Sequence, residues 1–142
     1  MQFPHTITVF NRIKGAGAGG DTYLATVIKG VLFRVVHGKS RTGTGDVNRD
    51  TFQLYIPLTA DTGNKEYVSP AKFIRLTEDE ARKKYTFSDK GDFFARGDFS
   101  ELGRIPLKTS EVKEVAETHK ITSAELLDFG SVSLHHWEVR GV

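Results

Sequence analysis

Alternating apolar and polar positions predict a chain built mainly of β-strands. Residues 6–10 and residues 52–58 alternate with a period of two, and their apolar positions hold mostly β-branched or aromatic side chains, which pack well on a pleated sheet. Residues 22–37 are rich in the same side chains but are interrupted at Gly30. This pattern indicates either two strands or one strongly bent strand with a bulge.

The C-terminal stretch, residues 121–142, predicts a β-hairpin. A first apolar run meets a turn signal at residues 128–131, and a second run follows in which His135, Trp137 and Val139 share one face. Trp137 is the only tryptophan of the chain. Because a large aromatic side chain favours burial, we expect the last residues to be built into a sheet.

Two short helices are predicted within this mainly β domain. Thr77 and Glu80 have the spacing of a capping box, which starts a helix over residues 78–85. Residues 111–117 predict a second helix with a narrow apolar stripe, capped by the Thr-Ser pair before it. A further short strand at residues 93–96 lies between two turn signals.

Two polar, glycine-bearing segments predict extended loops, at about residues 12–21 and 37–50. The first matches the dinucleotide fingerprint G-x-G-x-x-G, but a strand follows it instead of a helix, so we interpret it as a hairpin loop. The second contains a Gly-Lys-Ser triplet but lacks the first glycine and the helix of a P-loop. Its Lys39, Arg41 and Arg49 can face phosphates or can simply be solvated.

Composition limits the classes of function that remain. At 142 residues the chain is expected to form one domain spanning residues 1–142, and its net charge of +2 specifies no partner by itself. The absence of cysteine excludes disulfides, zinc–thiolate sites and cysteine nucleophiles. The sequence has neither a signal peptide nor an apolar run of about 18 residues, so we expect a soluble intracellular product.

No arrangement of reactive side chains predicts an enzyme. The neighbouring His135 and His136 point to opposite faces of a strand and therefore cannot chelate one metal together. A metal site built from His5, His135 and a carboxylate remains an alternative. A catalytic site in which several carboxylates converge in the fold is another. The carboxylates in question are Asp92, Asp98 and Asp128. We predict no catalytic, cofactor-binding or metal-binding residue.

Four segments of the chain together resemble a known family. They are residues 3–11, residues 52–58, the Lys90-Gly91-Asp92 turn before a strand, and residues 128–139. They resemble the small head-tail connector proteins of tailed phages and prophages of Gram-positive bacteria, often labelled minor capsid proteins. More narrowly they resemble head-closure proteins, or stoppers, with tail-terminator and adaptor proteins as close competitors.

The resemblance implies a small β-barrel of SH3-like or OB-like type with long loops and one or two short helices. Such a protein would be a virion protein of the phage neck, made in the bacterial host cytoplasm. It would form a homo-oligomeric ring, six- or twelve-fold, between the portal or adaptor protein and the tail terminator or tail tube. It would help to retain packaged double-stranded DNA through non-specific contacts, with no membrane partner and no cofactor.

Two sets of residues receive roles under this resemblance. The residues expected to face the channel and its DNA are Lys39, Arg41 and Arg49, with the loop at residues 15–20 as the rival for this position. The residues expected to close the core of the barrel are Leu134, Trp137 and Val139. A second class of function, an OB-like nucleic-acid-binding module, requires exposed aromatic side chains, whereas we expect Phe93, Phe94 and Trp137 to be largely buried.

Overall fold

The structure is a computed structural model that describes residues 3–13, 22–42, 45–48, 50–99, 107–108 and 117–142. Its strands are β1 (His5–Ile13), β2 (Thr22–Val36), β3 (Lys39–Thr42), β4 (Gly45–Asn48), β5 (Thr51–Pro57), β6 (Glu66–Tyr67), β7 (Lys84–Tyr85), β8 (Phe93–Arg96), β9 (Leu107–Lys108), β10 (Thr118–Leu127) and β11 (His136–Gly141). Its helices are α1 (Pro70–Phe73) and α2 (Glu78–Ala81), and Val132–Leu134 form a 3-10 turn.

Six strands form a closed antiparallel β-barrel. Their order is β1-β8-β10-β11-β5-β2, and β2 pairs back onto β1 to complete the ring of strands. The short strand β9 adds to the first residues of β2, while β3 with β4 and β6 with β7 form separate two-stranded pairs. The predicted fold class, a small and mainly β barrel with short helices, is therefore confirmed.

The long strand β2 pairs with two neighbouring strands and bends between the two paired regions. Its first part pairs with β1, and its last residues, from Leu32 onward, pair with β5. The register with β1 shifts between His5 and Thr6, opposite Gly30, whose φ of 85° lies in the left-handed region that favours glycine. Of the two alternatives left open by the sequence, a bent strand with a bulge is the one observed.

The interior of the barrel is filled by alternate side chains from its strands. Ile7 and Val9 of β1 point inward, and Phe94 of β8, which is fully buried, is one of the largest side chains in this core. The opposite face of β1 is buried too, because Phe10 packs outside the barrel against Tyr23. Burial on both faces explains why β1 carries two consecutive apolar residues, Val9 and Phe10, that are both fully buried.

The three residues predicted to close the core of the barrel are buried to different extents. Val139 is fully buried, and Trp137 is half-buried with its ring centroid 4.5 Å from that of Tyr67 and 5.4 Å from that of Phe87. The prediction for Leu134 was wrong, since this side chain is 65% exposed. Leu134 lies in the 3-10 turn before β11, so the strand's inward alternation does not reach it.

Three other predictions differ from the structure or lie beyond it. The capping box at Thr77 is present, but α2 is shorter than predicted because the chain turns into β7 at Lys84. The segment predicted as an irregular loop at residues 37–50 contains the paired strands β3 and β4. The glycine-rich stretch at residues 15–20 and the second predicted helix, up to residue 116, lie outside the described residues.

Gly141 provides a direct test of how tightly the last strand is packed. A β-carbon at this position would lie 2.6 Å from Cε1 of Phe94 and 2.8 Å from the backbone oxygen of Lys120. We expect Gly141→Ala to lower the free energy of unfolding by about 1–3 kcal/mol, because neither neighbour can move without disturbing the core. Urea denaturation measures this loss. The exposed Val142→Ala is the control, and equal midpoints for the two variants would contradict the packing described.

Candidate functional site

The hairpin of β3 and β4 extends the β2–β5 pair beyond the barrel. The barrel ladder between β2 and β5 ends at the pair Val36–Thr51, and the hairpin ladder begins at Lys39–Asn48. At the junction, Nδ1 of His37 lies 3.2 Å from a carboxylate oxygen of Asp50. This pair is exposed and contributes little to stability, but it marks the base of the extension.

The hairpin is long enough to reach well away from the barrel. Thr42, at the end of β3, is the sixth residue after Val36, and a rise of about 3.3 Å per residue gives a reach of at most roughly 20 Å. Of the residues predicted to face DNA, Lys39 and Arg41 belong to β3. Arg49 lies outside the described residues.

Exposed apolar side chains gather around the connection between β10 and β11. This group, named here the apolar tip, consists of Leu58, Leu126, Phe129, Val132 and Leu134, with exposed fractions from 40% at Leu126 to 78% at Val132. Leu58 joins the group because its backbone N–H donates to the carbonyl oxygen of His135, at 3.4 Å. Exposed apolar side chains concentrated in one region are candidates for an interaction site.

The hairpin and the apolar tip lie at opposite ends of one strand. β5 begins at Thr51, next to the hairpin, and ends at Pro57, which pairs with His136 beside the tip. The seven residues of β5 span roughly 20 Å at the usual rise of a strand. The barrel therefore holds two different surfaces apart at a fixed distance.

Charged side chains lie next to the apolar tip in the sequence and on the neighbouring strand. Glu125 and Asp128 are exposed, and neither forms a salt bridge within the part of the chain that the structure describes. On the neighbouring strand Nε2 of His136 lies 3.4 Å from an oxygen of Glu138, and its ring lies against that of Tyr55. The guanidinium of Arg140 lies 4.0 Å from the other oxygen of Glu138, so charges of both signs lie near the tip.

The histidines have structural surroundings where the structure describes them. The backbone N–H of Phe33 donates to Nδ1 of His5 at 2.9 Å, and the buried ring of His119 stacks on Phe52 with centroids 3.7 Å apart. Burial lowers the pKa of His119. Among the described residues no group of three or more His, Asp or Glu side chains is arranged to hold a metal ion, and no helix there is long and apolar enough to cross a membrane.

Asp92 is buried where its turn meets β1. Its carboxylate accepts hydrogen bonds from the side-chain amide of Asn11 at 2.9 Å, from the backbone N–H of Arg12 at 2.9 Å and from the backbone N–H of Ser88 at 3.1 Å. Burial raises the pKa of Asp92 to about 6, and these donors act in the opposite direction. The carboxylate ties its own turn, at residues 88–92, to β1.

The carboxylates considered for catalysis do not form a common cleft around Asp92. The backbone oxygen of Asp92 accepts from the N–H of Ile121, near the start of β10, whereas Asp128 follows the far end of the same strand. Seven residues of extended chain correspond to roughly 20 Å. Asp92 and Asp128 therefore belong to different parts of the molecule.

Sequence reasoning missed the apolar tip. Its signal was present, because Phe129, Val132 and Leu134 are apolar side chains placed within or directly after a turn signal. Apolar residues at such positions have no sheet face to pack against, so they are candidates for exposure. The same reasoning, applied to Leu134, would have separated it from Trp137 and Val139.

Comparison with known proteins supplies a family but no function. No curated protein and no solved structure matches the chain. A family model described as a family of unknown function, DUF6751, matches residues 3–142. The chain belongs to this family.

Proposed function

We propose that the protein is a structural subunit of a tailed-phage neck, a head-closure or stopper protein that forms a ring. In this role it joins the portal or adaptor protein to the tail and helps to retain packaged DNA. The observation that supports the proposal is a closed barrel with a long hairpin at one end of β5 and an exposed apolar tip at the other. A connector needs two separated contact surfaces on a rigid body.

The closed barrel suits a subunit that repeats around an axis. Each of its six strands pairs with two neighbours, so within the described residues less strand edge is left for uncontrolled pairing with another copy than in an open sheet. Contacts between copies then come mainly from loops and side-chain surfaces. Such contacts are specific in orientation, which a closed ring requires.

The hairpin is the element proposed to approach DNA in the channel. Lys39 and Arg41 lie on it and Arg49 directly follows β4 in sequence. Contacts from such side chains to phosphates are electrostatic and independent of base sequence. This is the behaviour that retention of any packaged genome demands.

Two other functions give different expectations. A tail terminator or an adaptor would occupy the same neck, with the hairpin directed at a protein neighbour. An OB-like nucleic-acid-binding module would need aromatic side chains open for base stacking. The described barrel favours it less, because Phe94 is fully buried and Phe93 and Trp137 are half-buried against other rings.

The proposal is tested by phage particles in which Lys39, Arg41 and Arg49 are all replaced by alanine. We expect these particles to assemble with normal necks but to lose DNA several-fold faster on mild heating, because each lost cation removes a phosphate contact. DNase sensitivity of the released genome measures the loss. The control replaces three exposed lysines of the barrel, Lys29, Lys90 and Lys120, by alanine.

The outcomes separate the parts of the proposal. Unchanged DNA retention in the triple variant would show that the hairpin is not the DNA contact. Particles that assemble complete necks without this protein would reject the connector role itself. Quenching of Trp137 fluorescence by single-stranded DNA would instead favour the OB-like alternative.

A further inference from the structure

We infer that His119 is a pH-sensitive switch for the β8–β10 ladder, which is closed while the ring of His119 is neutral and opens when the ring takes up a proton. In this ladder His119 lies opposite Phe94, at the middle pair. The switch belongs to a single chain and does not depend on the proposed role in the neck. The position, burial and surroundings of the ring all point to it.

The β8–β10 ladder is the shortest of the six ladders that close the barrel. It contains three pairs, from Thr118 with Ala95 to Lys120 with Phe93, whereas the other five ladders contain four to nine pairs. A region held by few paired residues opens at a lower cost in free energy than the rest of a fold. His119 therefore lies where a local loss of stability can separate two strands.

The ring of His119 is packed among three phenylalanine rings from three other strands. Its centroid lies 3.7 Å from that of Phe52 on β5, 5.4 Å from that of Phe94 on β8 and 5.8 Å from that of Phe33 on β2. The residue is only 5% exposed. A neutral imidazole suits these surroundings, because it packs on aromatic rings and carries no charge that has to be desolvated.

His119 lacks the polar partner that every other histidine of the chain has. Within the part of the chain that the structure describes, no hydrogen bond reaches either of its ring nitrogens. Each of the others has a ring nitrogen within hydrogen-bonding distance of a polar group, namely His5, His37, His135 and His136. A proton added to the closed His119 ring therefore meets no acceptor among the described residues, and burial of such an ion is costly.

The nearest charges do not replace the missing partner. On β8 the guanidinium carbon of Arg96 lies 5.7 Å from the ring centroid of Phe33, so a cation already lies against this group of rings. Burial lowers the pKa of His119, and the carboxylate of Glu117 acts in the opposite direction. Because Glu117 is exposed, water screens its attraction for a proton on the ring.

The other titratable groups of the packed strands lie on the outer face or have their own partners. Arg34 of β2, Tyr55 of β5 and Lys120 of β10 each follow an inward-facing residue, so alternation places them outside the barrel. On β1 the ring of His5 accepts from the backbone of Phe33. Asp92 lies before β8, where its carboxylate accepts from the groups described above.

The direction of the pH effect follows from the two forms of the ladder. A histidine in water titrates near pH 6.5, so below this value the open form binds a proton that the closed form excludes. The closed ladder is therefore favoured above about pH 6.5 and loses stability as pH falls through this value. Opening uncovers the three phenylalanine rings and leaves one unpaired edge on β8 and one on β10.

Hydrogen exchange of the purified chain, resolved by residue with NMR, tests the switch. We expect the protection of amides in residues 93–95 and 118–120, corrected for intrinsic exchange rates, to be about tenfold lower at pH 5 than at pH 7.5. The β1–β2 ladder, with nine pairs, should keep its protection at both values. A local opening, unlike global unfolding, predicts this contrast.

Two variants remove the titrating ring. In His119→Gln and in His119→Leu the fall in protection between pH 7.5 and pH 5 should disappear, whatever the absolute protection, because neither side chain binds a proton. Asp92 titrates in all of these proteins, so the difference from the wild type isolates His119. The matched control is His37→Gln, which removes an exposed histidine beside Asp50 and should keep the response of the wild type.

The wild type alone decides the matter if both variants fail to fold. A His119 ring that NMR shows to be protonated at pH 5 while the β8–β10 ladder keeps its protection would overturn the switch. So would a loss of protection spread evenly over all six ladders, because it would report global unfolding by acid. A fall that persists in folded variants would assign it to another group and overturn the role of His119. All of these outcomes leave the neck proposal untouched.

Discussion

Phe94→Ala should lower the free energy of unfolding by about 3–5 kcal/mol, because a fully buried phenylalanine in the barrel would be replaced by a cavity. The ring of Phe94 lies 5.4 Å from that of His119 and 6.3 Å from that of Phe33. It also fills the space left open by Gly141, so three strands lose contacts together. Urea denaturation followed through the fluorescence of Trp137 measures the loss.

The neighbouring residue is the matched control. Phe93 lies on the opposite face of β8, half-buried against Tyr23 with ring centroids 5.5 Å apart. Phe93→Ala removes the same atoms but less buried area, so we expect a smaller loss of about 1–2 kcal/mol. Equal losses for the two variants would show that the interior of the barrel is not its main core.

Asp92→Ala should destabilise the fold by about 3–5 kcal/mol, although it removes a charge from a buried position. The substitution removes the carboxylate acceptor from the backbone N–H groups of Arg12 and Ser88 and from the amide of Asn11, which keeps only its bond to the carbonyl oxygen of Thr86. Asp92→Asn keeps the volume and one acceptor, so its loss should be smaller. Asp89→Asn, an exposed change in the same turn, serves as control.

The effect of Asp92→Asn should depend on pH. Burial raises the pKa of Asp92 from its ordinary value of 3.8 to about 6, so between these values the folded state holds a proton that the unfolded state has lost. Asp92 therefore stabilises the wild type increasingly as pH falls from 6 to 4, and this contribution is lost as pH rises through 6. Asparagine does not titrate. The stability lost on substitution should therefore be about 1–3 kcal/mol greater at pH 4 than at pH 7.

The contribution of the buried His119 to stability changes with pH in the opposite direction, so it must be separated from the contribution of Asp92. Burial lowers the pKa of His119, so the unfolded state takes up a proton first as pH falls below the ordinary value of 6.5. His119 therefore weakens the wild type and the Asp92 variant equally at low pH. The difference between the two proteins isolates Asp92, and a difference that stays constant from pH 4 to 7 would contradict its raised pKa.

The barrel could be predicted because its strands carry local signals. Alternation at residues 6–10 and 52–58 identified β1 and β5, and the β-branched stretch with Gly30 identified the bend of β2. The position of Leu134 could not be predicted in this way. Alternation indicates which residues share a face but does not indicate where a strand begins.

The remaining features depend on contacts between distant parts of the chain. Asn11 and Asp92 are 81 residues apart, and no local pattern reports their hydrogen bond. The hairpin of β3 and β4 was hidden by its glycines and polar side chains, which weaken every strand signal. The exposure of the apolar tip can be identified only from the folded structure, because it depends on which side chains the neighbouring segments leave uncovered.

The place of β11 in the barrel has a consequence for synthesis. β11 lies between β10 and β5, and both pair with it along its whole length. While β11 is still inside the ribosome, the emerged chain holds two unpaired strand edges, which are sites of aggregation and proteolysis. Closure of the barrel therefore waits until β11 has emerged, and it joins segments that are distant in the sequence.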